Sequence, residues 1–264
     1  EMFVLKAVAN KPIKVWLEDA SQVEATCMEQ AINLANLPCT FRHVVLLPDC
    51  HAGYGMPIGG VLAAQDAIIP NAVGNDIGCG VSFVHVDLPA DLLHEVKVDN
   101  GTLAQKIVGD IMRSIPTGFE HQKSPQPSAV LDRFKPPSFP VPELEKELER
   151  AYYQLGTLGS GNHFIELQAD DEGRLGLMVH SGSRNLGLQI CRAFDKRAQT
   201  LNAKLKSPVP REWQLAYLPT DTPEGKAYIA WMNMALGFAK ENRSLMMQRL
   251  KEIVFENLSK YGDI

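Results

Sequence analysis

The fold class is decided by the stretch from Gly53 to Leu88, which reads GYGMPIGGVLAAQDAIIPNAVGNDIGCGVSFVHVDL. Its first 28 residues contain seven of the 20 glycines in the chain, and glycine permits backbone angles and close approaches that other residues avoid. This density of glycine argues against a long amphipathic helix and predicts short strands joined by tight turns, one of them at residues 58–64. At residues 81–88 two sets of side chains alternate, which is typical of a half-buried strand.

Apolar residues at helical spacing predict helices on either side of this stretch. The predicted helices cover residues 23–34, 100–115, 144–155, 190–205 and 222–258. Further strands are predicted at residues 44–47, 164–168 and 175–179. Residues 21–24 predict a capping box ahead of the first helix. Because strands and helices do not alternate strictly, the order of elements predicts an α+β fold.

Length and charge narrow the classes of function. A chain of 264 residues with 45% hydrophobic and 22% charged side chains can bury a sizeable core without disulfides or structural metals. The formal net charge of −5 excludes a globally basic protein that coats nucleic acid through phosphate neutralisation. An enzyme with a locally basic cleft remains compatible with this charge.

Cysteine usage and the N-terminal residues predict the compartment. The five cysteines include no CxxC pair, so a zinc ribbon is excluded and reduced, intracellular thiols are expected. No apolar run reaches the roughly 18 residues of a membrane span. Residues 1–16 carry three lysines and a proline, which does not match the apolar region of a signal peptide. We therefore expect a cytoplasmic protein that does not bind membranes.

Four side chains of metal-binding types lie beside glycines or strand ends. Asp76 and Cys79 are three residues apart in a Gly-flanked turn, and His163 and His180 each lie at an end of a predicted strand. Together they predict a divalent transition-metal centre, for which the soft thiolate by itself favours Zn²⁺ or Fe²⁺ over Mn²⁺. The alternative is structural, because a lone cysteine is often a small buried hydrophobic residue and a lone histidine often only a hydrogen-bonding one.

Two further sets of residues have open or structural interpretations. Residues 180–185, HSGSRN, precede a predicted helix, and such an N-terminus with an arginine predicts a phosphate seat or, alternatively, an ordinary capping loop. Cys27 and Cys191 occupy apolar positions of predicted helices and are expected in the core. Cys39 and Cys50 have no assigned role.

Four segments carry a resemblance to a known family. These are PDCHAGYGMPIGGVLA (48–63), IIPNAVGNDIGCGV (68–81), GTLGSGNHFIEL (156–167) and MVHSGSRNLG (178–187). In order and separation they resemble the RtcB RNA-splicing ligases, from about residue 10 to the last residue. The resemblance implies mixed sheets flanked by helices in a single catalytic domain, of which residues 1–264 are the N-terminal part and residues 116–142 a Pro-rich loop.

The resemblance also implies an activity. RtcB enzymes join an RNA 2′,3′-cyclic phosphate or 3′-phosphate end to a 5′-hydroxyl end in tRNA splicing and RNA repair, using GTP and Mn²⁺. A histidine is first guanylylated, and GMP then passes to the RNA 3′-phosphate. No histidine follows His180, so the guanylylated histidine is expected outside these 264 residues. The RNA ends are the expected partners, together with an activating protein.

Residue by residue, the resemblance implies two Mn²⁺ ions that share Cys79. Asp76 and His163 complete the first site, and His180 helps to hold the second. The residues that would line the GMP site are Asn162, His163, Phe164, Ile165 and Glu166. The residues that would contact a phosphate or the RNA end, or lie near the metals, are Arg184, Ser183, Asp49 and His51.

For the metal, the resemblance favours Mn²⁺ where the ligand chemistry favoured Zn²⁺ or Fe²⁺. Two other functions remain open. One is a non-ligating module that binds metal and RNA ends, and the other is a two-metal phosphodiesterase acting on cyclic phosphates.

Overall fold

The structure is a computed structural model and describes residues 2–6, 9–99 and 101–261. The strands are β1 (Phe3–Leu5), β2 (Ile13–Val15), β3 (Thr40–His51), β4 (Ile58–Ala64), β5 (Ala67–Ile68), β6 (Gly80–Pro89), β7 (Lys97–Val98), β8 (Gly101–Thr102), β9 (Phe164–Ala169), β10 (Arg174–Ser181) and β11 (Leu218–Pro219). The α-helices are α1 (Ala25–Ala35), α2 (Pro70–Val73), α3 (Leu92–Glu95), α4 (Leu103–Ser114), α5 (Ala129–Arg133), α6 (Pro142–Gln154), α7 (Arg184–Lys204) and α8 (Pro223–Tyr261). Short 3-10 helices lie at Ala20–Gln22 and Arg211–Trp213.

The first of two compact units contains Glu1–Asn75, Pro136–Val141 and Gln189–Trp231. Its four-stranded sheet has the order β1-β2-β3-β4, in which β2 and β3 are parallel and the outer pairs antiparallel. Alternate residues of β2 and β3 are fully buried against the apolar face of α1. Strands β5 and β11 form a separate antiparallel pair.

The second unit contains Asp76–Lys135, Pro142–Leu188 and Met232–Ile264. Its sheet has the order β6-β10-β9, with both pairs antiparallel. Leu175, Leu177 and Val179 of β10 are buried on one face, in the same core cluster as residues of α4 and α8. The opposite face carries His180 and the exposed side chain of Phe164, and it presents the candidate site.

The α+β class is confirmed, and most predicted elements are present. Residues 58–64 form β4, and residues 81–88 lie within β6 with the expected alternation of exposure. The predicted helices correspond to α1, α4, α6, α7 and α8. Cys27 and Cys191 are buried, as expected of core residues.

The predicted capping box at residues 21–24 is wrong. The box forms two residues earlier, where the Asp19 carboxylate accepts from the backbone and the Gln22 side chain accepts from the Asp19 N–H. A carboxylate is a stronger acceptor than the Ser21 hydroxyl, so the overlapping earlier pattern prevails. Helix α1 then begins after Glu24, whose side chain makes no capping hydrogen bond.

The Pro-rich segment 116–142 contains a short helix that the sequence pattern did not predict. This helix, α5, begins after Ser128, whose side chain accepts the N–H of Leu131. The last residue of the segment, Pro142, is the first residue of α6.

None of the helices within residues 2–6, 9–99 and 101–261 combines the length and the apolar character needed to cross a membrane.

Candidate metal centre

Asp76 and Cys79 are brought together by a tight turn that leads into β6. The Cys79 N–H donates to the Asp76 carbonyl oxygen at 3.0 Å. Gly78 adopts a φ of +76°, in the left-handed region where a side chain is costly. A Cβ at this position would also lie only 3.0 Å from Cβ of Ala239. The turn therefore requires glycine between the carboxylate and the thiol.

The two histidines come from neighbouring strands. His163 immediately precedes β9, and His180 lies near the end of the central strand β10. In the sheet register His180 pairs with Phe164 on one side and with Val81 on the other. Antiparallel pairing therefore carries both imidazoles to one end of the sheet, where their ring centroids are 5.6 Å apart.

The predicted ligand atoms converge. Nε2 of His163 lies 2.8 Å from Oδ2 of Asp76. Sγ of Cys79 lies 3.6 Å from that nitrogen and 3.1 Å from Nε2 of His180. The ligand atoms of Asp76, Cys79 and His163 all lie within 4.8 Å of one another. Cys79 is exposed, so the alternative of a buried core cysteine is wrong for this residue.

The orientation of the His163 ring is fixed by the backbone and directs Nε2 at the Asp76 carboxylate. Its Nδ1 lies 3.0 Å from the carbonyl oxygen of Leu158, and a carbonyl oxygen only accepts. An N–H at Nδ1 that donates to this oxygen holds the ring so that Nε2 faces the Asp76 carboxylate. The 2.8 Å contact between Nε2 and Oδ2 is satisfied either by a proton on Nε2 or by a metal ion that binds both atoms. The nearby Cys79 thiol makes the set typical of a transition-metal site.

The protonation tendencies of Asp76 and His180 favour their metal-binding forms, whereas that of Cys79 favours the thiol. Burial alone would raise the pKa of Asp76, but hydrogen bonds from His163 and Cys79 outweigh it and lower the pKa. Desolvation of the sulfur, followed by the neighbouring Asp76, raises the pKa of the Cys79 thiol to about 12. Burial and the nearby His163 lower the pKa of His180, which keeps its ring in the neutral form that binds metals. Metal binding would displace the thiol proton.

A second set of contacts holds the carboxylate in place. Oδ1 of Asp76 accepts the N–H of Ser183 at 3.0 Å. The residue before it, Gly182, packs directly on the carboxylate, because a Cβ there would lie 2.2 Å from Oδ2. Only glycine at this position leaves room for the carboxylate in its observed orientation.

Sequence reasoning assigned no role to Asn242 and Arg243, two adjacent residues of α8. The buried Asn242 amide accepts from the backbone of residues 156 and 157 and donates to Thr157, Ser181 and Gly182. Arg243 donates to the carbonyl oxygens of Gly78 at 2.6 Å and of Ser181 at 2.9 Å. The pair therefore ties together the loops that carry the ligands. In the sequence they are two polar residues of a long helix, and only the tertiary contacts reveal their role.

At the predicted phosphate-binding site at the start of α7, several donors already form hydrogen bonds within the protein. The Ser183 N–H donates to Asp76, and the Asn185 N–H donates to Oε1 of Gln154. The Arg184 guanidinium donates to Oγ1 of Thr157 and to the carbonyl oxygen of Gly118, both at 3.1 Å. These contacts fix the guanidinium against Gly159, where a Cβ would clash with it.

The predicted GMP-lining residues divide between the two faces of β9. Asn162, Phe164 and Glu166 are exposed, and the Phe164 ring meets the His180 ring edge to face at 5.2 Å. Ile165 points to the other face and packs against the core of the second unit. The exposed side chains beside His163 are therefore better placed for a ligand than Ile165.

Asp49 and His51, predicted near the metals, lie on β3 in the first unit. Nδ1 of His51 lies 2.9 Å from the carbonyl oxygen of Asp49. Their part in the site stays a prediction.

The fold and the site together define an α+β protein with a candidate metal centre of carboxylate, thiol and imidazole ligands. A family model described as "tRNA-splicing ligase RtcB" matches residues 30–135 and 139–263. The chain therefore belongs to the RtcB family, and the resemblance of the four segments is confirmed.

Curated relatives agree with this membership. The chain is 32% identical over 265 residues to "RNA-splicing ligase RtcB" of Escherichia coli (strain K12), covering 94% of this chain and 62% of the relative. It is 30% identical to "tRNA-splicing ligase RtcB" of Thermococcus kodakarensis, covering 85% of this chain and 54% of the relative. A Mycobacterium tuberculosis relative is 31% identical, with coverages of 85% and 61%. The chain thus spans less than two thirds of the length of these relatives.

Proposed function

We propose that this chain carries the metal-binding part of an RNA ligase. The ligase joins RNA 2′,3′-cyclic phosphate or 3′-phosphate ends to 5′-hydroxyl ends, with Mn²⁺ and GTP. Family membership and the names of the relatives support the reaction class. The observation that carries the proposal is the convergence of Nε2 of His163, the Asp76 carboxylate and the Cys79 thiol within 4.8 Å of one another.

The proposed ligands are Asp76, Cys79 and His163 for one ion, with Cys79 and His180 for the other. Bound metal ions neutralise charge on a reacting phosphate and hold attacking and leaving oxygens in line. The ligand chemistry by itself favours Zn²⁺ or Fe²⁺, and the choice of Mn²⁺ rests on the family resemblance.

Backbone groups of this chain orient the side chains of the proposed metal ligands. The Leu158 carbonyl oxygen sets the His163 ring, and the Ser183 N–H sets the Asp76 carboxylate. The exposed Phe164 ring contacts His180, and Glu166 is exposed on the same strand, so the two side chains offer a surface for GMP. We assign the guanylylated histidine to none of the seven histidines of this chain.

The test compares Cys79→Ala with Cys39→Ala in the full-length protein. Cys39 is buried in the core of the first unit, so its loss is expected to cost about 1 kcal/mol of stability and to leave ligation intact. Cys79→Ala is expected to abolish Mn²⁺ binding, the GMP adduct seen by intact mass, and joining of a 3′-phosphate/5′-hydroxyl RNA pair.

Other outcomes would favour the remaining functions. Metal and RNA-end binding by the wild-type protein, without a GMP adduct or joined product, would indicate a non-ligating module. Opening of a 2′,3′-cyclic phosphate without GTP would indicate a phosphodiesterase. Ligation by Cys79→Ala at the wild-type rate would contradict the proposed metal site.

A further inference from the structure

One short segment of this acidic chain is strongly basic. Residues 192–211 contain six of the 26 lysines and arginines but only one of the 31 acidic residues, Asp195. The segment covers most of α7 and the chain that follows it. None of the four segments that carry the family resemblance includes it.

Three of these cations line an open cavity of about 540 Å³ within the first unit. Lys196, Lys206 and Arg211 share its wall with the polar side chains of Gln199, Thr200 and Ser207. Along α7 the lining positions recur every three or four residues, so they form one face of the helix. Lys196 lies on this face, whereas Lys206 and Arg211 lie in the chain that follows α7.

The three cations are available to a ligand. Each is exposed, and none forms an ion pair with another side chain in the part of the chain that the structure describes. Asp195, the acidic residue of the segment, is half-buried and accepts from Nε2 of Gln199 at 2.7 Å. Arg211 interacts electrostatically with this carboxylate, so the positive charge of the cavity is neutralised only in part.

The cavity is held in shape by a buried amide. Asn202 donates to the carbonyl oxygen of Tyr217 at 2.6 Å and accepts its N–H at 3.1 Å. These two bonds fasten the loop after α7 to the helix. Lys206 itself adopts a φ of +53° at the helix end, a conformation that glycine would occupy at lower cost. The shape is thus set before any ligand binds.

We propose that this cavity and the basic segment 192–211 bind the phosphate backbone of RNA, away from the ends that react. The assignment of RNA rests on the proposed function. A small anion needs a compact set of donors, whereas five exposed cations distributed over residues 192–211 match a polyanion.

The test measures binding of a single-stranded RNA with 5′-phosphate and 3′-hydroxyl ends. The proposed ligase does not join such ends, so the assay measures binding alone. The full-length protein is compared with the triple variant Lys196→Gln, Lys206→Gln, Arg211→Gln over a range of salt concentrations. The matched control is Lys123→Gln, Lys135→Gln, Lys146→Gln, three exposed lysines of the second unit with the same loss of charge. Loss of three phosphate contacts lowers the slope of log K against log salt by about 2.

We expect the lower slope in the triple variant and the wild-type slope in the control. An unchanged slope in the triple variant, or an equal fall in the control, would overturn the inference. Weakened binding of GTP or inorganic phosphate with unchanged RNA binding would assign the cavity to a small anion and also overturn it. Joining of a 3′-phosphate/5′-hydroxyl RNA pair is measured in a separate assay. Failure of this joining would count against the proposed function and not against the RNA-binding cavity.

Discussion

At Asn242 a single buried amide holds two ligand-bearing loops together. It forms five hydrogen bonds, two of them as acceptor from the backbone of residues 156 and 157. Replacing it by alanine leaves buried donors and acceptors unsatisfied, each at about 1–3 kcal/mol. We expect Asn242→Ala to lower the free energy of unfolding by roughly 3 kcal/mol, measured by urea denaturation.

The matched control is Asn257, which lies further along the same helix. Asn257 is also buried but its amide donates only to Asp110 and to the Ile253 carbonyl oxygen. Asn257→Ala is expected to cost about 1 kcal/mol. Equal losses for the two variants would show that Asn242 has no special part in fixing the loops.

At the scale of elements, α4 and α8 are joined through one carboxylate. Asp110 of α4 accepts from Lys106 and Arg113 of its own helix and from Asn257 of α8 at 3.0 Å. Hydrogen bonds from Lys106 and Asn257 hold the pKa of Asp110 below its usual value of 3.8. Because the folded pKa is lower than the unfolded one, Asp110 stabilises the fold above the unfolded pKa, and this contribution disappears as the pH falls through and below it.

Asp110→Asn should therefore weaken the acid sensitivity of stability. Urea midpoints of wild type and variant are compared between about pH 5 and pH 2. Asp87→Asn, at an exposed position of β6, serves as the control and should follow the wild type. A variant that loses stability with acid as steeply as the wild type would refute the role of Asp110.

At the scale of the whole molecule, metal binding should stabilise the folded chain. A ligand that binds only the folded state adds about 2.7 kcal/mol at 100 times its Kd. Mn²⁺ is expected to raise the unfolding temperature of the wild type and not that of Cys79→Ala. Ca²⁺, which prefers a cage of oxygen ligands, should shift neither. An equal rise in both proteins with Mn²⁺ would place the bound metal elsewhere.

Elements with a clear period were predictable from the sequence alone. Strand β4 matches its predicted bounds, and the buried positions of α1 fall on Cys27, Ala31 and Leu34. Periodicity succeeds here because burial of one face dominates the local free energy. The capping box failed where two overlapping patterns competed, and α5 was missed because a short helix among prolines has no measurable period.

The chemistry of the site was also predictable in part. Asp76, Cys79, His163 and His180 were recognisable because carboxylate, thiol and imidazole groups lay beside glycines and strand ends. The sequence could not predict which of these atoms face one another. Residues some 85 to 100 positions apart meet only through the pairing of β6, β9 and β10.

The sequence by itself determined the α+β class, the family and the residue types of the metal centre. The tertiary structure decided the orientation of the His163 ring, the anchoring of Asp76 by Ser183, and the roles of Asn242 and Arg243. It also showed that Lys196, Lys206 and Arg211 line one cavity. The physical reason is that hydrogen bonds and unpaired charges depend on distances of a few ångströms between remote residues, whereas periodicity and composition are properties of neighbours along the chain.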